Sequence, residues 1–155
     1  MVWLDSKQIR YALETTFNDI LDKRMRDMPM VNPALSVRAV GFNRFNKDWL
    51  GVLITPWFMN LLLLPGVDSR WCEQQPGTKI ERHFPYGVFE FTLGSEALLE
   101  TYALCSLFSP MFQFKNQAEA LAAAQAALQG LLTETTPRSI SRRDLLRGTI
   151  GNGNC

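Results

Sequence analysis

The chain is poor in the residues that catalysis most often uses. It has one histidine, His83, and three cysteines, Cys72, Cys105 and Cys155, at long and unequal spacings. No C-x-x-C is present, which excludes a zinc ribbon or a dithiol redox motif. No G-x-x-x-x-G-K-[ST] occurs, and the Gly-rich stretch 148–153 follows no strand pattern, so a phosphate cradle is excluded as well. Charge of one sign is also lacking: 16 Lys+Arg against 15 Asp+Glu give a net charge of +1, with none of the excess that nucleic-acid binding requires. The most apolar run, Trp49 to Leu64, is interrupted by Pro56 and Asn60 and falls short of the roughly 18–20 residues that cross a bilayer. It reads as core strands. The N-terminal MVWLDSKQIRYAL has no basic region followed by an apolar run, so no secretion signal is expected. Free thiols then make the cytoplasm the expected compartment.

What is present is the composition of a globular protein: 155 residues, 46% hydrophobic and 20% charged. Ile9, Leu13, Phe17, Ile20 and Leu21 recur at helical spacing, with Asp5 or Ser6 available as a cap. Pro29 and Pro33 end that helix. From Ser36 to Leu107 the pattern is of short strands: 37–45, 49–54, 58–64, 80–84, 88–93 and 99–107, joined by turns at Asn46-Lys47-Asp48, Pro65-Gly66 and Pro85-Tyr86-Gly87. A second helix runs from Asn116 to Leu132, with Asn116 and Glu119 as a capping pair and Leu121, Leu128, Leu131 and Leu132 as its apolar side. The expected fold is α+β: a helix, an antiparallel sheet of about five or six strands, a helix, and a mobile tail. The expected division is one domain over 1–136 and a basic tail over 137–155.

Three segments place methionines and aromatics beside a proline: Arg24 to Leu35, Gly51 to Gly66 and Cys105 to Phe112. A proline interrupts a strand ladder, and Met and aromatic side chains adapt to varied apolar ligands, so these segments suit peptide docking. Filling of core gaps is the competing reading. The candidate docking residues are Pro56, Trp57, Phe58, Met59 and Asn60, with Phe108, Ser109, Pro110, Met111 and Phe112. If Trp57, Phe58, Met59, Phe108, Met111 and Phe112 form a groove, some should be partly exposed and contiguous. Full burial of all six would mean core.

At these residues the sequence resembles the HybE-type assembly chaperones of nickel–iron hydrogenases. The resemblance rests on TPWFMN (55–60), CSLFSPM (105–111), P-x-x-N-P-A-L (29–35) and the FPYGVFEF hairpin (84–91), in order between Phe17 and Leu132. It implies a cytoplasmic, non-enzymatic accessory protein without cofactor or metal. Such a protein would bind a hydrogenase precursor, small or large subunit, and hold back twin-arginine export until cofactor insertion is complete. The small subunit with its signal peptide is the expected client, and no direct membrane insertion is expected. Asp19 and Asp22, which on a surface helix ordinarily mean solvation, would meet the arginines of the signal. In the tail, Arg142, Arg143, Leu145 and Leu146 lie in Ser-Arg-Arg-Asp-Leu-Leu-Arg, which resembles a twin-arginine motif and is expected either to aid solubility or to imitate the client's signal. Two other classes stay open: a structural subunit of the finished hydrogenase, and a thiol enzyme using Cys105.

Overall fold

The computed structural model describes residues 2–134. Helix α1 spans Ser6–Ile20 and passes into one π-helical turn, Leu21–Met25. Six strands follow: β1 Arg38–Phe45, β2 Asp48–Ile54, β3 Met59–Leu64, β4 Lys79–His83, β5 Val88–Glu96 and β6 Glu100–Phe108. A 3-10 turn, Trp71–Glu73, lies between β3 and β4, and helix α2 spans Gln117–Leu131. This is the expected α+β fold. The tail, with Arg142, Arg143, Leu145, Leu146 and Cys155, lies outside the described residues.

Both helices start where a side chain can satisfy an orphan backbone N–H. Asp5 accepts from the Gln8 amide at 2.8 Å, and the Gln8 side chain accepts from the Leu4 amide at 2.7 Å. Asn116 and Glu119 do the same for α2, accepting from the amides of Glu119 and Lys115 at 2.9 and 2.8 Å.

The sheet is antiparallel throughout, in the order β1-β2-β3-β6-β5-β4. After β3 the chain crosses to the far edge, and β6 returns to pair with β3. α1 packs on one face through Ile9, Leu13 and Phe17, against Phe42, Leu53, Leu62 and Leu64. α2 packs on the other, against Val40, Val52, Leu61 and Phe91. Every residue of β2 and β3 is therefore buried, and this explains why they read as a continuous apolar run rather than an alternating one.

The buried side of α2 departs from expectation. Ala120, Ala124, Ala127, Gly130 and Leu131 face the sheet, whereas Leu121 and Leu128 are half-buried and Leu132 is exposed. Small residues let the helix approach the strands closely, which a leucine stripe would prevent. At Gly41 the same approach sets the backbone. Its φ of +66° forms a bulge between Val40 and Asn43, and a Cβ there would lie 2.7 Å from Leu128. The extra residue returns Phe42 to the α1 face, where its ring covers Gly51.

The end of the sheet holding the β1–β2 turn is pinned by a buried carboxylate. Asp48 accepts from the Gly66 amide at 3.1 Å, from the Trp71 indole N–H at 3.1 Å and from the Ser69 hydroxyl. Asp48→Asn places an NH2 group among donors. It should cost about 1–3 kcal/mol of stability, read from the urea midpoint at unchanged m-value.

Candidate functional site

The three proline-bearing segments meet at the opposite end of the sheet. Asn32, which is 6% exposed, joins them. Its side-chain amide donates to the carbonyls of Met111 and Phe114 at 3.0 and 2.9 Å, and its Oδ1 accepts from the Ala34 amide at 3.0 Å. Its backbone N–H donates to the Pro56 carbonyl at 2.9 Å. Thr55 fixes the middle segment, its Oγ1 accepting from the amides of Trp57 and Phe58 at 3.2 and 2.9 Å. The reading of isolated segments missed both residues. The available signal was a lone asparagine between Val31 and Pro33 in an apolar stretch.

Around this junction the candidate residues divide. Met59 and Met111 are wholly buried, Pro56 and Asn60 are buried, and Trp57, Phe58 and Phe108 are half-buried. Ser109 and Pro110 are exposed, and Phe112 is 54% exposed. They also lie on two sides of the sheet. Phe58 packs edge-on against Phe17 at 5.8 Å on the α1 face, and Trp57 packs against Phe58. Phe108 packs against Phe114 at 5.0 Å on the α2 face, with Met59 and Met111. What reaches solvent is a rim: Met28, Pro29 and Met30 from the first segment, Phe112 and Pro110 from the third.

Asp19 and Asp22 lie elsewhere, along a cleft of about 680 Å³ between α1 and the β5–β6 turn. Tyr11, Thr16, Asn18 and Arg24 line it on the helix side, and Glu96, Ala97 and Leu98 on the turn. Asp19 pairs with Lys23 at 3.1 Å and Asp22 with Arg26, both on the exposed surface. Glu14 belongs to the fold: its Oε2 accepts from Arg10 at 3.1 Å and from the Ala39 amide at 3.0 Å, capping the β1 edge. Beside the β5–β6 turn, Tyr102 is buried over Gly94, and burial first, then the charge of Glu96, pushes its phenol up to about 12.

Cys105 is buried on the α2 face of β6. His83 is exposed at the end of β4. Among the described residues no group of three or more His, Cys, Asp or Glu could hold a metal ion, and no helix is long and apolar enough to cross a membrane.

Residues 8–148 match the family described as "NiFe-hydrogenase assembly, chaperone, HybE". The chain belongs to this family. It is 40% identical over 151 residues to the hydrogenase expression/formation protein HupJ of Bradyrhizobium diazoefficiens, covering 89% of this chain and 86% of that protein. It is 41% identical over 117 residues to the probable rubredoxin HupJ of Rhodobacter capsulatus, a match spanning 76% of this chain and 42% of that longer protein. The solution structure of HybE from Escherichia coli shares the fold, with a TM-score of 0.69 at 24% identity over 93% of this chain and 86% of that one.

Two outcomes follow for this HybE-family chain. Asn32→Ala and Asn32→Asp both remove the donors to Met111 and Phe114, and each should cost about 2–3 kcal/mol in chemical denaturation. The folded state holds the Tyr102 proton to about pH 12, whereas the free phenol loses it near 10.0. The stability this provides is complete below pH 10 and is lost as pH rises through 12. Thermal melts across that window should fall in the native protein and fall less in Tyr102→Phe.

Proposed function

We propose that this chain is a non-enzymatic maturation chaperone that holds a nickel–iron hydrogenase precursor until cofactor assembly is complete. The client is the small subunit with its twin-arginine signal peptide uncleaved, and the site of action is the cytoplasm. Membership of an assembly-chaperone family supports this reading. So does the likeness to the Bradyrhizobium protein HupJ, a hydrogenase expression/formation protein. Binding is reversible and needs no cofactor. Cys105, packed within the core, has no part in it.

The observation that carries the reading is the junction at Asn32. Three separate segments are tied together by hydrogen bonds, and they leave Met28, Met30 and Phe112 exposed beside the tie. Apolar side chains held out on a fixed frame suit a partner's apolar segment, because little ordering remains to be done on binding.

The test is a pull-down from cells arrested before hydrogenase export. Recovery of the precursor with uncleaved signal peptide supports the proposal. Recovery only of the mature, assembled hydrogenase would make the chain a subunit, and recovery of partners unrelated to hydrogenase would overturn the reading. Phe112→Ser should weaken precursor binding about tenfold, the worth of one large apolar contact, and leave the melting temperature within a few degrees because the ring is already exposed.

A further inference from the structure

Helix α2 gives the sheet only part of its surface. Beside its buried small residues runs a second stripe, Gln125, Leu128, Gln129 and Leu132, at three- and four-residue steps. This stripe and Phe45 of β1 line a groove of about 300 Å³ between helix and strand. Leu128 and Phe45 are half-buried, and Leu132 is 46% exposed. The two leucines belong to the side that the sequence assigns to the core, yet among the described residues their outer surface is left to water.

The lining selects its occupant. Arg44 is the one charge on the walls, and no carboxylate lines them, so an arginine finds no partner there while an aliphatic side chain does. Gln125 and Gln129 are exposed, and their amides can donate to and accept from a peptide backbone. The volume is at the lower end of ligand cavities, about 300–1,000 Å³, which suits a few side chains of an extended segment.

The chain itself supplies such a segment close by. Leu132, in the groove wall, is followed by Ile140, Leu145 and Leu146, which lie outside the described residues. The eight residues from Leu132 to Ile140 can reach about 27 Å, whereas the groove runs along α2 from Gln125 to Leu132 for about 10 Å. The family match continues to residue 148, so it includes this segment. A tether this short gives an effective concentration around the millimolar range, and a contact with a dissociation constant near 1 mM would be made about half the time.

We propose that the groove between β1 and α2 binds the chain's own segment 140–146. Ile140, Leu145 and Leu146 lie on Phe45, Leu128 and Leu132, with Gln125 and Gln129 bonded to the segment's backbone. Arg142 and Arg143 stay outside the groove, in water. The inference goes beyond the chaperone reading and does not depend on it.

Two measurements on the full-length chain test it. In the first, the isotope-labelled native chain is compared by NMR with Leu145→Ser/Leu146→Ser. Amide signals of Phe45, Gln125, Gln129 and Leu132 should shift. Shifts confined to Met28, Met30 and Phe112 would seat the segment on the rim instead, and no shift outside the segment would mean that it docks nowhere; either result overturns the assignment. In the second, trypsin cleavage after Arg142 and Arg143 is timed by mass spectrometry. Leu132→Ser changes an exposed side chain far in sequence from the cleaved bonds, and it should speed cleavage about twofold to tenfold, the range for a segment docked half to nine-tenths of the time. Equal cleavage rates in the native chain, in Leu132→Ser and in a free peptide of residues 137–148 overturn the proposal.

Discussion

The carboxamide of Asn32 is the interaction on which one whole end of this molecule depends. The segments it joins enter from three distant parts of the chain and carry prolines, which have no N–H to give a neighbour. The Met111 carbonyl takes one N–H from Phe114 within its own segment, and Asn32 supplies donors to Met111, Phe114 and Pro56, two from its side chain and one from its backbone. Asparagine suits the position because its side chain donates twice while still accepting, here from the Ala34 amide. A buried polar network satisfied in this way specifies one arrangement of its loops, since any other leaves polar groups unpaired in a low-dielectric setting. Asp48 does the equivalent work at the other end, where it gathers Gly66, Ser69 and Trp71.

Between these two polar anchors the core is apolar and double-sided. β2 and β3 are covered by α1 on one face and by α2 on the other, so the centre of the sheet is inaccessible and any surface open to a partner lies at its ends and flanks. The apolar rim is one such place and the acidic cleft another. They share α1: Phe17 packs under Phe58 near the rim, while Asp19 and Asp22, in the turns that follow, border the cleft.

The elements were legible because their rules are local. Asp5 and Asn116 announced helix starts through side chains that reach only three residues along. The turns at Asn46-Lys47 and Pro85-Tyr86 separate runs whose apolar content continues on either side; five of the strands fall within a residue of expectation, and β5 runs three residues further, to Glu96. The motif segments were recognisable as such, each by methionines or aromatics set beside a proline.

What those segments form was not legible. That β6 inserts between β3 and β5 depends on pairings across some forty residues, which no local pattern encodes. The close face of α2 proved to be alanine because the helix–sheet distance, a tertiary quantity, decides whether leucine fits. Asn32 read as one polar residue in a loop, since the carbonyls that give it purpose lie 79 and 82 residues away. Thr16 read as an ordinary helical residue; only packing shows that its hydroxyl is sealed in without a hydrogen-bond partner. Sequence by itself determined which stretches bury apolar surface and where they begin. The tertiary structure decided which polar atoms are satisfied and which are left over, because hydrogen-bond partners are chosen by proximity in space.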